Sequence, residues 1–373
     1  MTLHAISIPK WGLTMEEGTL VSWLVAEGDA VTAGQEVAEL ETDKIANAIE
    51  TSAGGILRRR LALRGDVRPV GALLGVVADA AEDETAIDAF IADFQSRAGN
   101  TAREAAAMQP TAQSVTVDGH TTRFLKLDAV GERSGAPLIL IHGFGGNHLN
   151  WMLNHEALAA DRDVYAIDLP GHGGSSKDVG DGSAQGLAAR IEAWLEAQSL
   201  GRVHLVGHSL GAAVAACLAI AHPQRVQSLA AVCGAGFGGP LNRAYLEGFL
   251  AAERRKELKP VIELLFADST RVTRQMVDDL IAYKRTDGVA QALRALIDGA
   301  LTEASLTAVR QRLPELRKPI LAIFGALDRV VPTPLTEDLT ATIQMIMGAG
   351  HMPHLENAVA VNTGIAVFIR EQD

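Results

Sequence analysis

Hydrophobic positions fall into two periods along the chain, and the change of period marks its parts. From Ser114 onward, short unbroken apolar runs alternate with stretches of helical period. The runs are Leu138–Ile141, Val164–Ile167, Val203–Val206, Leu229–Val232 and Ile320–Phe324; the helical stretches include Gly186–Ala197 and Gly211–Ala221. An apolar run of that length between turn residues predicts a strand buried on both faces, so the rhythm predicts an α/β arrangement around a mostly parallel sheet. Val115–Val117 and Thr122–Leu127 read as an opening antiparallel pair. Leu241–Leu313 interrupts with mainly helical patterns, including Arg243–Lys256. An insertion there predicts a lid over the carboxyl edge of the sheet.

The first 80 residues lack that rhythm and repeat themselves instead. Sliding Gly18–Leu40 onto Gly55–Val77 superposes Gly18/Gly55, Leu20/Leu57, Leu24/Leu61, Gly28/Gly65, Asp29/Asp66 and Gly34/Gly71. The repeat is short and punctuated by glycine, so it predicts two related β-sheets with Gly-Asp marking an equivalent turn in each. Glu41–Ile49 joins the halves and reads as a hairpin with Lys44 at its tip. Between the repeat and the α/β part, Ile87, Phe90, Ile91 and Phe94 recur at helical spacing, which predicts a short amphipathic helix docked on a domain or a partner. Ala98–Gln113 is rich in Ala, Gly, Thr and Gln. As a flexible coil it spans roughly 20–25 Å; as an Ala-rich helix it is stiffer, and both readings fit. The expected organisation is a domain over 1–80, a linker with the helix over 81–113, and an α/β domain over 114–373 with its lid near 241–313.

Residues 1–80 resemble a lipoyl domain of the 2-oxo acid dehydrogenase type, a flattened β-barrel of two repeated half-sheets, with Lys44 matching the lipoylated lysine. Biotin carrier domains share the shape but set their lysine between two methionines; here Asp43 and Ile45 stand in those places, which favours lipoate.

Candidate chemistry in the second part lies at strand ends. Gly207-His208-Ser209-Leu210-Gly211 follows one apolar run and precedes a helical one, the context that makes a Gly-x-Ser-x-Gly string a nucleophile elbow. A serine needs a base; His351 in Gly350-His351-Met352-Pro353 is the candidate. The base needs a carboxylate to fix its tautomer, and Asp328 follows the Ile320–Phe324 run. Asp168 is a rival for that role. The Gly-rich stretch after Leu138–Ile141 supplies an oxyanion hole, with backbone N–H donors placed at Phe144 and Leu210. The order Ser209, Asp328, His351 and the elbow resemble the α/β-hydrolase superfamily. A serine at the elbow argues against the dehalogenases and epoxide hydrolases of this fold, which use aspartate. His142 and His208 flank the donors and read as pocket residues, His354 as a partner within the base loop, and His172 and His222 as structural or surface residues.

Composition narrows the field. The chain has 373 residues and 48% hydrophobic positions, enough for more than one core. A net charge of −12 and 4% aromatics argue against nucleic acid. Arg58–Arg60 is a tight basic run and reads as a solvated face. Cys217 and Cys233 have no metal-ligand spacing, and no metal is expected. Met1–Trp11 lacks a signal-peptide pattern and no run is long enough for a membrane span, so a cytoplasmic protein is expected.

Taken together, the two halves resemble the dihydrolipoyllysine-residue acetyltransferase family of bacterial acetoin dehydrogenase complexes. The resemblance implies covalent lipoate on Lys44 and coenzyme A as acyl acceptor. It also implies a multi-subunit complex with a thiamine-diphosphate-dependent acetoin-cleaving subunit, a flavin-dependent dihydrolipoyl dehydrogenase and a lipoate-attachment enzyme. The His-x-x-x-Asp-Gly motif of the general acyltransferases is missing from the sequence, which leaves Ser209 to take its place. Two other readings fit the same residues: a lipoyl-tethered serine hydrolase acting on an ester, thioester or C–C bond, and a non-catalytic carrier and assembly subunit.

Overall fold

The two halves of the N-terminal repeat fold by exchanging a strand. The computed structural model describes residues 3–9, 17–41, 46–94, 111–333 and 341–373, and the chain divides into units Met1–Gln109 and Pro110–Asp373. The first unit contains β1 (Leu3–Ser7), β2 (Glu17–Trp23), β3 (Ala30–Val31), β4 (Glu36–Glu41), β5 (Ala46–Glu50), β6 (Gly55–Arg60), β7 (Val67–Pro69) and β8 (Leu73–Ala78). One sheet has the order β1-β8-β6-β3 and the other β5-β4-β2-β7. The repeat maps β2 onto β6, β3 onto β7 and β4 onto β8, yet β3 pairs with β6 and β7 with β2. Each half thus lends its short middle strand to the other half's sheet.

Matching hydrogen bonds mark the exchange. Gly28 N–H donates to Leu57 O and Gly65 N–H to Leu20 O, both at 2.8 Å, and Leu57 and Leu20 N–H return to Asp29 and Asp66 O at 3.0 Å. Gly28 and Gly65 take φ of 93° and 89°, a left-handed turn that a β-carbon would strain. Leu20, Val37, Leu40, Leu57, Leu74 and Val77 from both halves fill one core. Glu41 and Ala46 are the last register pair of the β4–β5 hairpin; Lys44, between them in sequence, lies outside the described residues, as does 95–110 of the linker. A helix over 84–94, α1, packs Ile87, Phe90, Ile91 and Phe94 on Leu73, Val76 and Leu61 of the same unit. Arg58 and Arg59, expected on a solvated face, instead pair with Glu84 at the start of that helix, and Arg58 also donates to Asp79 O at 3.0 Å. A negative side chain in a first helical turn is favoured by the helix dipole, and here it also ties strand to helix.

The second unit runs β9 (Gln113–Val117), β10 (His120–Leu127), β11 (Leu138–Ile141), α2 (His155–Leu158), β12 (Val164–Ile167), α3 (Ala184–Ala197), β13 (Val203–His208), α4 (Leu210–Ala221) and β14 (Val226–Val232). It continues with α5 (Arg243–Ala251), α6 (Arg255–Ile262), α7 (Arg274–Lys284), α8 (Val289–Asp298), α9 (Glu303–Arg312), β15 (Ile320–Gly325), β16 (Thr342–Ile346), α10 (Pro353–Glu356) and α11 (Ala358–Arg370). Its sheet has the order β16-β15-β14-β13-β11-β12-β10-β9, parallel from β12 to β16 and antiparallel at β9 and β10. Central strands buried on both faces explain the unbroken apolar runs. Helix α4 is buried from Leu210 to Ala219, which its Ala-rich, uniformly apolar sequence permits.

The insertion between β14 and β15 is helical as expected, but Arg243–Lys256 is not one helix. It breaks at Ala252, whose ψ of 120° is extended. Lys284 donates to the Phe249 and Ala252 carbonyls at the end of α5, and Glu257 accepts from the N–H groups of Glu253 and Arg254 at the start of α6. Both new helix ends are thereby satisfied. Among the described residues no helix is long and apolar enough to cross a membrane.

Candidate active site

Ser209 sits at the β13–α4 junction with φ 50° and ψ −116°, a conformation that costs on the order of 1–3 kcal/mol for a residue with a side chain. The surroundings over-determine it. Ser209 N–H donates to Val232 O, and its carbonyl accepts from Ala212 and Ala235 N–H, all at 3.0 Å. The flanking glycines are required by space: a β-carbon on Gly207 would stand 2.5 Å from Ala212 N, and one on Gly211 2.3 Å from Ile141 O.

Strand order brings Asp328 to His351. Asp328 follows β15 and His351 follows β16, which are neighbours, and Asp328 Oδ2 accepts from His351 Nδ1 at 2.8 Å. A carboxylate only accepts, so this bond fixes the proton on Nδ1 and leaves Nε2 as the basic nitrogen. Asp328 Oδ1 accepts from Val330 N–H at 2.7 Å and Val331 N–H at 3.0 Å. Burial pushes the Asp328 carboxyl up, but His351 and those two N–H groups outweigh it and hold it below its ordinary value. Cys233 Sγ stands close by, with donor atoms of Cys233, Asp328 and His351 within 4.8 Å of one another. Burial, and then the Asp328 charge, push this thiol well above its usual pKa, so it is a neutral packing group.

The N–H groups of Phe144 and Leu210 donate no hydrogen bond among the described residues, and each follows directly on a residue packed against the other's loop. A β-carbon on Gly143 would lie 3.0 Å from Ser209 Cβ and 2.7 Å from His208 Nδ1, so the Gly-rich turn rests on the elbow. Two buried histidines hold that turn. His142 Nδ1–H donates to Gly143 O at 2.7 Å while Nε2 accepts from Leu169 N–H at 2.9 Å. His172 Nδ1–H donates to Pro170 O at 3.1 Å while Nε2 accepts from Gly145 N–H at 3.0 Å. Burial pushes both imidazoles down, His172 to about 3, so both stay neutral and able to accept.

The chemistry such a site supports is acyl transfer through a serine. Residues 136–358 match the alpha/beta hydrolase fold family, and residues 4–77 match the biotin/lipoyl family described as biotin-requiring enzymes. The dihydrolipoyllysine-residue acetyltransferase component of the acetoin cleaving system of Pseudomonas putida is 40% identical over 374 residues, covering 99% of each chain. Its counterpart from Cupriavidus necator is 43% identical over 361 residues, covering 96% of this chain and 95% of its own. The chain belongs to this acetyltransferase family. The fold of its second unit is shared more widely: a meta-cleavage product hydrolase from Pseudomonas fluorescens IP01 superposes with a TM-score of 0.61 at 20% identity, over 70% of this chain and 98% of that one.

In this family member Asp168, the other candidate for the acid, makes its hydrogen bonds away from His351. Asp168 follows β12, on the far side of β11, and accepts from the His148 N–H and ring at 2.7 and 2.8 Å and from Gly174 N–H at 2.8 Å. His354 and His208 pack in a tilted arrangement, with ring centroids 4.6 Å apart, and His208 Nε2–H donates to His351 O at 2.9 Å. His354 is therefore part of the packing beneath the base loop, against Trp151 at 4.7 Å. Sequence reasoning missed Phe249, whose ring lies 5.5 Å from that of Phe144 and fills the space above Gly145. An aromatic on an amphipathic lid helix carries no signal of what it covers.

Proposed function

We propose that this chain passes an acetyl group from lipoyl-Lys44 to coenzyme A by way of acetyl-Ser209. The observation that carries the reading is the Asp328–His351 hydrogen bond, with the His351 ring centroid 4.8 Å from that of His208, the residue before the strained elbow serine. The unengaged N–H groups of Phe144 and Leu210 support it. The β4–β5 hairpin, paired up to Glu41 and Ala46, suits a lysine that bears a lipoyl arm, and that group supplies a thiol on which an acetyl is carried as a thioester.

His351 Nε2 takes the Ser209 hydroxyl proton as Oγ attacks the thioester carbonyl. The Phe144 and Leu210 N–H groups hold the oxyanion, each lowering the barrier by about 3–4 kcal/mol. The C–S bond breaks, His351 returns the proton to the leaving sulfur, and acetyl-Ser209 remains. His351 then takes the proton of the coenzyme A thiol, whose sulfur attacks the ester; the C–O bond breaks and Oγ recovers the proton. Ser209 is 5% exposed and His351 1%. An acyl-enzyme that is to await a thiol must be shielded from water, which competes for it, and this burial is compatible with that requirement.

In the complex, which we place in the cytoplasm, a thiamine-diphosphate-dependent subunit cleaves acetoin and loads the arm, a flavin-dependent dihydrolipoyl dehydrogenase reoxidises it, and a lipoate-attachment enzyme modifies Lys44. A hydrolase reading keeps one specific observation in its favour: a relative from Cupriavidus pinatubonensis, 29% identical over 69% of this chain and 95% of its own, is a 2-hydroxy-6-oxononadienedioate/2-hydroxy-6-oxononatrienedioate hydrolase. A product-partition assay separates the two. Acetyl-dihydrolipoamide and saturating coenzyme A should give acetyl-coenzyme A that vanishes in Ser209→Ala. Acetate alone would mark a hydrolase, and turnover equal to that of Ser209→Ala would mark a carrier.

A further inference from the structure

Hydrogen bonds join one short stretch of the lid, Glu263–Ala267, to both loops of the acid–base pair. His351 N–H donates to Leu265 O at 2.8 Å. The guanidinium of Arg329, next to Asp328, donates to Phe266 O at 2.7 Å and to Glu263 O. Glu356 spans the remaining gap. Its Oε1 accepts from Ala267 N–H of the lid and its Oε2 from Gly350 N–H of the base loop, each at 2.7 Å. Gly350 allows the approach, since a β-carbon there would stand 2.7 Å from Ala267 N and 2.9 Å from Leu265 O. On its other side the same loop is held by the His208 bond to His351 O.

We propose that Glu356 is a positioning residue that clamps lid stretch Leu265–Ala267 to the loop of the base, making this stretch a fixed strut instead of the part that opens to substrate. The inference rests on the acyl-transfer reading of Ser209, Asp328 and His351. A carboxylate suits the task because it accepts on both oxygens and donates on neither, and hydrogen bonds to an ionised acceptor are stronger than neutral ones. A glutamine in its place accepts on one side only and turns its NH2 against the other N–H. The base loop then loses one of its holds while Asp328, His351 and Ser209 stay in place chemically. A small displacement of a base far exceeds in rate what it costs in contacts.

The test compares Glu356→Gln and Glu356→Asp with the parent protein by steady-state acetyl-coenzyme A formation and by backbone hydrogen exchange. Glu356→Gln should lower kcat by about 10–100-fold and leave KM within about twofold. Peptides containing Leu265–Ala267 and Gly350–His351 should exchange faster together, while β13 keeps its protection. Glu356→Asp, which retains two accepting oxygens on a shorter arm, should fall between. Unchanged kcat overturns the proposal, as does faster exchange in one of the two peptides alone. Exchange that rises through β13 and α4 as well would make Glu356 a general stabiliser and overturns it equally. Should Ser209→Ala transfer acetyl groups at the parent rate, the acyl-transfer reading fails on its own, and the exchange data still decide the clamp.

Discussion

Asp328→Asn changes the acid–base pair with almost no change in shape, and the structure dictates how the amide must turn. Asp328 Oδ1 accepts from two backbone N–H groups, those of Val330 and Val331, while Oδ2 meets the His351 ring. The amide oxygen can serve the two N–H groups only by aiming NH2 at His351 Nδ1. The opposite rotamer leaves two donors without an acceptor, at about 1–3 kcal/mol each, so the first is favoured by roughly 2–6 kcal/mol. His351 Nδ1 must then accept, which moves the ring proton to Nε2, the nitrogen that has to receive the Ser209 proton. The wrong tautomer is worth about 10⁴-fold in kcat, or about 5 kcal/mol of barrier. Substrate binding does not use the pair, so KM should hardly move. Steady-state acetyl-coenzyme A formation, with a burst measurement to isolate acylation of Ser209, reads both quantities. A variant within tenfold of the parent kcat would refute the assignment of Asp328 as the group that sets the tautomer.

Two further outcomes follow from burial. Burial pushes His172 and His354 down to about 3, whereas in the unfolded chain both titrate near about 6.5. Below that pH the unfolded chain binds more protons, so this stability is full above pH about 6.5 and falls by about 1.4 kcal/mol per pH unit for each group as the pH drops toward 3. Denaturant melts at falling pH should show the decline, and a flat stability would contradict it. In the first unit Leu20 and Leu57 are both fully buried at repeat-related positions. Leu57→Ala and Leu20→Ala should each cost about 2–5 kcal/mol in that unit's unfolding transition; a loss at one position alone would contradict the shared core.

Local requirements were legible in the sequence. The paired glycines at 28 and 65 need φ near 90° whatever surrounds them, and the elbow needs small residues at 207 and 211 because Ala212 and Ile141 crowd them. Strands buried on both faces write themselves as unbroken apolar runs, so the α/β part, its lid and the position of Ser209 could be read directly. Pairings between distant segments could not. The exchange of β3 and β7 between the half-sheets follows from closing a shared core, and a repeat alone allows each half to pair within itself. Asp328 and Asp168 both follow strands, and only the strand order sets β15 beside β16 and leaves β12 across β11. Arg58 and Arg59 look solvated until α1 brings Glu84 to them, and Arg243–Lys256 looks continuous until Lys284 caps its break. Periodicity records which face of an element is buried; which residues meet across elements is fixed by packing, and hydrogen bonds such as those of Glu356 have no local pattern to announce them.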